Sequence, residues 1–116
     1  MSPIMPKSID TKTIIVNLLK EDAQDYLSLD RLRSLLRFIH RELLERNILD
    51  NYQIFFDVNF NSIRRTVLCN ETIFVLDFDG DNIYLREPMS IDTLADRYQV
   101  DETIRGIIHT FVQPAA

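Results

Sequence analysis

Along 73–78 one set of alternate positions is apolar throughout, and the other turns polar only near the loop. Phe74, Leu76 and Phe78 interleave with Ile73, Val75 and Asp77, which is the two-residue period of a strand with one fully apolar face. A cluster of three Asp, one Gly and one Asn then separates this run from a second apolar run. Together they predict a β-hairpin over 72–87. Two registers satisfy the same faces. Leu76 can stand opposite Ile83 across an Asp79-Gly80 turn, or Phe78 can stand opposite Ile83 across a longer loop, and period alone does not choose between them.

The helical period appears most fully over 28–47. Leu32, Leu35, Leu36, Ile39 and Leu43 form a continuous stripe. Ser28 can cap it, Leu27 and Leu32 can close a hydrophobic staple, Asp30 and Arg46 suit the helix dipole, and Asn47 suits a left-handed stop. This helix is expected to lie across a sheet and supply half the core. Ile14, Ile15, Leu18 and Leu19 predict a shorter helix over 11–20 behind the candidate caps Ser8 and Asp10, although its β-branched run favours strands.

Over 52–60, Ile54, Phe56 and Val58 alternate with polar neighbours, a turn follows at 59–61, and 62–68 reads as another strand leading into the hairpin. Four strands at such spacing predict an antiparallel meander, because parallel pairing needs crossover helices that this stretch has no room for. After Pro88 two helices are expected. Ser90 or Asp92 would cap the first, with Leu94, Ala95 and Tyr98 inward; Asp101 would cap the second, with Ile104, Ile107, Ile108 and Phe111 inward. Gly106 inside the second costs about 1 kcal/mol relative to Ala, so either close packing demands a small residue there or the helix is marginal. The expected fold is therefore α+β: a four-stranded antiparallel β-meander against a long amphipathic helix, with a short N-terminal helix and a C-terminal helical pair.

Composition narrows this picture. A chain of 116 residues, 46% hydrophobic and 27% charged, is one globular domain. Residues 1–8 read as a flexible tail and 9–113 as the domain. The lone Cys69 excludes an intramolecular disulfide and a multi-cysteine zinc site, which favours a reducing, cytoplasmic setting. No apolar run approaches the roughly 20 residues of a membrane span. Charge is uneven: residues 1–69 carry ten Lys and Arg against nine Asp and Glu, and residues 70–116 carry three against nine. The acidic end repels phosphate backbones, so nucleic-acid binding requires a local argument.

Three groups of residues bear on chemistry. The string VLDFDGDN resembles the nucleophile motif of the haloacid dehalogenase superfamily, an apolar strand followed by Asp, any residue, Asp, Gly and Thr. The resemblance implies Asp77 as nucleophile and Asp79 as general acid and base. However, Asp81 stands at the Thr position, and the 36 residues after Gly80 contain no Lys. That superfamily also sets the motif at the start of a parallel-sheet domain. A turn accounts for the same residues, and no catalysis is expected. The three Asp do not match a calcium loop either, which needs Gly at its sixth position and Glu at its twelfth. No metal or cofactor is expected.

The stretch LADRYQVDETIRGII resembles a helix-turn-helix through Leu94-Ala95, Val100 and Ile104. This implies DNA contacts from Arg97, Arg105 and His109. Gln99 replaces the usual turn Gly, the spacing to Ile104 is one residue short, and Asp101-Glu102 would face phosphates. DNA binding is thus the alternative reading. The leading one is a non-catalytic interaction or regulatory protein. Its partner would be a protein held by Arg33, Arg37 and Arg41 at four-residue spacing, near Arg31, His40 and Arg46 and extended by Arg64 and Arg65. A solvated face with Arg41–Glu45 and Glu42–Arg46 pairs accounts for the same stripe. A homodimer is compatible with the sequence, as is an acidic C-terminal half that imitates nucleic acid. His40 and His109 are each isolated and are assigned to neither metal nor catalysis.

Overall fold

The computed structural model describes residues 7–54, 76–86 and 91–113. In chain order these form β1 (Lys7–Ile9), α1 (Thr11–Asp22), β2 (Tyr26–Ser28), α2 (Leu29–Glu45) and a 3-10 turn (Leu49–Asn51). Then come β3 (Tyr52–Ile54), β4 (Leu76–Asp79), β5 (Asn82–Leu85), α3 (Ile91–Arg97) and α4 (Glu102–Val112).

Asp10 starts α1 by accepting from the Thr13 amide at 3.0 Å and the Thr13 hydroxyl at 2.7 Å. Burial pushes the Asp10 carboxyl up, but the hydrogen bonds from Lys12 and Thr13 outweigh it and hold its pKa below the usual value. The helix is buried on nearly every side, including Ile14, Ile15, Val16, Leu18 and Leu19. A β-branched residue costs a helix roughly 0.5 kcal/mol, whereas burying an Ile or Leu side chain contributes about 1.5–3 kcal/mol. Burial therefore decides in favour of the helix. It ends in a Schellman motif: Ala23 takes φ 54°, its N–H donates to the Lys20 carbonyl, and Gln24 N–H donates to the Leu19 carbonyl.

Ser28 caps α2 by accepting from the Arg31 amide at 3.2 Å. Leu29, Leu32, Leu35, Leu36, Ile39 and Leu43 are its buried stripe. Asn47, at φ 60°, closes the far end, with its N–H on the Leu44 carbonyl and Ile48 N–H on the Leu43 carbonyl. Asp101 caps α4 through the Ile104 amide at 2.9 Å. Ile104, Ile107 and Ile108 are buried where α4 packs against both α1 and α2, and α3 packs against α1. Asp92 lies inside the first turn of α3 and is not its cap; Ser90 lies outside the described residues.

The α+β class holds, but the expected four-stranded antiparallel meander does not. β3 pairs in parallel with β1, Lys7 opposite Tyr52 and Ile9 opposite Ile54. The crossover this needs is present, because α1 and α2 both lie between the two strands. Lys7 and Ser8, read from sequence as part of a tail, belong to β1. The hairpin β4–β5 forms as expected and takes β2 as its third strand, in the order β2-β5-β4. Its register is Phe78 opposite Ile83 and Asp79 opposite Asn82. Gly80 turns the chain at φ 58°, the sign a glycine-first two-residue hairpin loop requires. The strands expected over 55–60 and 62–68, with Phe74, lie outside the described residues. Among the described residues α2 packs on α4 and β2, so a helical layer of α1, α2 and α4 forms the centre of the core.

Leu29 N–H donates to the Asp81 carbonyl and Leu85 N–H to the Asp25 carbonyl. Tyr26 and Tyr84 consequently form a non-hydrogen-bonded pair, where facing side chains come closest. Their ring centroids are 6.2 Å apart.

Candidate interaction surface

The stripe that buries one side of α2 leaves the opposite side to the arginines. At 3.6 residues per turn, positions 33, 37 and 41 advance slowly around that outer side, and 44 returns close to 37. Arg37 and Arg41 are exposed. Arg33 is half-buried, with its guanidinium 3.4 Å from Asp30. Leu44 is 58% exposed on the same side. His40 is half-buried on the flank.

Phe38 sits at the other edge of this surface, between the arginines and the core. The Arg41 guanidinium lies 5.3 Å from the centre of its ring. Phe38 in turn meets Phe111 of α4 at 5.6 Å, tilted by 44°, the kind of offset geometry aromatic pairs prefer. Arg31 lies 5.1 Å from the centre of the Phe111 ring. The seam between α2 and α4 is therefore a row of cation, ring, ring and cation.

The two ends of that row differ. Arg31 grips Asp22 at the end of α1, with Nε at 2.6 Å from Oδ2 and Nη2 bonded to Oδ1. The Asp22 hydrogen bonds raise the pKa of Arg31. This bidentate clamp ties α1, α2 and α4 together and leaves Arg31 a structural residue. Arg41 is exposed, with the Phe38 ring beneath its guanidinium. A cation held over an aromatic face loses little further freedom when it meets a carboxylate, so Arg41 is poised for an anionic group. Arg64 and Arg65 lie outside the described residues.

The C-terminal pair presents a mixed surface. Arg97 and Arg105 are exposed, and so are Asp92, Asp96 and Glu102. His109 is 3.2 Å from Glu21 of α1. Asp101, expected to face phosphates, is taken up by the α4 amide, by Lys7 at 2.9 Å and by the Tyr52 hydroxyl at 2.7 Å. Burial pushes its carboxyl up, but these three donors outweigh burial and lower its pKa.

Asp79 and Asp81 are exposed at the hairpin turn. Among the described residues no three His, Cys, Asp or Glu side chains come together as metal ligands, and no helix is long and apolar enough to cross a membrane. A cleft of about 530 Å³ between the end of α1, β5 and the start of α3 sets Lys20, Asp25 and Asp92 against Leu19, Leu85 and Ile91.

The ring pair escaped the sequence reading. The sequence pattern sets Phe111 inward, whereas Phe38 flanks the apolar stripe of α2 and belongs to no periodic set. A helical wheel sets Phe38 roughly 60° from Arg41, a signal for their contact. Comparison with protein families, with curated proteins and with solved structures finds no match for this chain.

Proposed function

We propose that this chain is a small non-catalytic interaction protein of the cytoplasm that binds another protein through the arginine face of α2. The observation that carries this reading is the exposed pair Arg37 and Arg41 on a helix whose opposite side is fully buried. A rigid element holds the charges, so binding costs little ordering of the backbone. Arginine also makes the planar, forked contacts that carboxylates favour.

Reversing Arg33, Arg37 and Arg41 together to Glu tests it. The far-ultraviolet circular dichroism should stay that of wild type, because these charges lie off the apolar stripe and contribute little to stability. Chemical cross-linking in cell extract should capture a partner with wild type and lose it with the triple variant, and capture should weaken as salt rises. An equal yield from both proteins overturns the reading.

DNA binding through α3 and α4 draws less support, since their exposed positions carry Asp92, Asp96 and Glu102 beside Arg97 and Arg105. A titration of mixed duplex DNA at low salt separates the two. Saturable binding that Arg105→Ala abolishes would favour the helical pair.

A further inference from the structure

We infer that the free edge of β2 receives the C-terminus of an extended partner peptide, lying parallel to the strand with its terminal carboxylate between the Ser28 amide and Arg31. This is a second site, separate from the arginine face of α2. Among the described residues β2 pairs only with β5. The bonds from Leu29 N–H to the Asp81 carbonyl and from Leu85 N–H to the Asp25 carbonyl fix which backbone groups that pairing uses. Leu27 is the residue that exchanges bonds with Ile83, so the N–H and C=O of Tyr26 and the N–H of Ser28 point away from β5. The Ser28 carbonyl is not free, because as the cap of α2 it accepts the first bond of the helix.

A groove of about 330 Å³ lies beside this strand, lined by Asp22, Gln24, Tyr26, Leu27, Ser28 and Arg31. Arg31 uses Nε and Nη2 on Asp22, which leaves Nη1, and its side chain is 39% exposed. The groove therefore offers donors from Tyr26, Ser28 and Arg31 against one free main-chain acceptor, from Tyr26. An excess of donors that includes a guanidinium suits a carboxylate.

A parallel neighbour that ends here matches these groups one for one. Its last residue donates its N–H to the Tyr26 carbonyl, its terminal carboxylate accepts from Ser28 N–H and Arg31, and the carbonyl two residues earlier accepts from Tyr26 N–H. A chain that ran further would find the Ser28 carbonyl taken and α2 already begun at Leu29. The terminal side chain stands on the same face as Leu27, and the one before it beside Tyr26, which is 49% exposed, a place for a β-branched residue. Strand addition and capture of a terminal carboxylate are both recurring modes of peptide recognition. A second copy fits less well. The groove holds a few residues of one chain, whereas β2 of another copy brings β5 and α2 with it, and a three-residue edge guards against such sheet pairing.

The test follows the amide NMR shifts of the labelled full chain as the acetylated peptide Ala-Lys-Thr-Thr-Val, with a free terminal carboxylate, is added. Saturable shifts centred on residues 24–31 are expected, and the Tyr26 and Ser28 amides should exchange with solvent more slowly once it is bound. Amidating the terminus should weaken binding about tenfold, the scale of one charge-assisted hydrogen bond. Methylating the backbone nitrogen of the terminal Val, which removes the donor to Tyr26, should weaken it at least as much. If acetate alone shifts the same amides as strongly at the same concentration, the groove is an anion pocket and strand addition is wrong. If diluting the protein without peptide moves those amides, a second copy holds the edge and the partner is wrong. No shift at millimolar peptide overturns the inference, and so does equal binding by a peptide that continues several residues past the Val.

Discussion

The Tyr52 hydroxyl donates to Asp101 Oδ2 at 2.7 Å, joining the start of β3 to the cap of α4 across 49 positions of sequence. Lys7 of β1 donates to the same oxygen at 2.9 Å, while the other carboxylate oxygen caps the helix at Ile104. One carboxylate thus holds both strands of the parallel pair against the helix that fills the core.

This arrangement makes stability depend on acid. Asp101 has a folded pKa below its ordinary value, so its contribution is present above the unfolded pKa of about 3.9 and is lost as pH falls through the folded one. Asp10 acts in the same direction. Urea melts between about pH 5 and pH 2 should show falling stability in wild type. Asp101→Asn retains most of the cap but not the charge, so its fall should be shallower; equal slopes would remove Asp101 from the account. At the alkaline end Lys7, raised by the Asp101 hydrogen bond, and Tyr52, raised by burial and then by Asp101, contribute stability below their unfolded pKa values. That stability is lost as pH rises through the folded ones.

Gly106 is exposed in the middle of α4, and a Cβ added there would meet nothing within 4 Å. Among the described residues nothing packs closely enough there to demand a glycine, which disfavours the first of the two accounts the sequence left open. Gly106→Ala should stabilise the domain by about 1 kcal/mol through helix propensity alone. A thermal melt with an unchanged or lower midpoint would show that this glycine answers some other need.

Ala23 stands in the left-handed region at φ 54°, ψ 40°, where an L side chain costs roughly 1–2 kcal/mol. Ala23→Gly relieves that cost and gives part of it back through the greater freedom of the unfolded chain. A net gain of about 0.5–1 kcal/mol is expected in chemical denaturation, and a loss would mean that the Schellman turn is not formed in solution.

Leu36 is 1% exposed within the core cluster of α1, α2 and α4. Leu36→Ala should cost about 2–5 kcal/mol by leaving a cavity. A urea midpoint implying less than about 1 kcal/mol would place this face of α2 outside the packed interior.

The residue types alone determined the local features of this protein. Asp10, Ser28 and Asp101 cap their helices as their side chains allow, Asn47 stops α2, and the leucine stripe chooses the buried side of that helix. Each is a relation among residues a few positions apart, and the physics that selects it is carried within one turn or two. The hairpin is equally local, yet its register awaited the tertiary fold, because a shift of two keeps every side chain on the same face. Tertiary structure alone decided the strand partners. β2 is three residues long, too short for an alternating pattern to stand out, and it forms on β5, while β1 pairs with β3 across a long stretch of sequence, a partnership that no periodicity within either strand specifies. The same holds for the candidate surface. The spacing of Arg33, Arg37 and Arg41 placed them on one side of a helix, but only packing of α4 beside α2 brought Phe111 to Phe38. Packing likewise turned Arg31 inward to Asp22 and left Arg41 facing solvent.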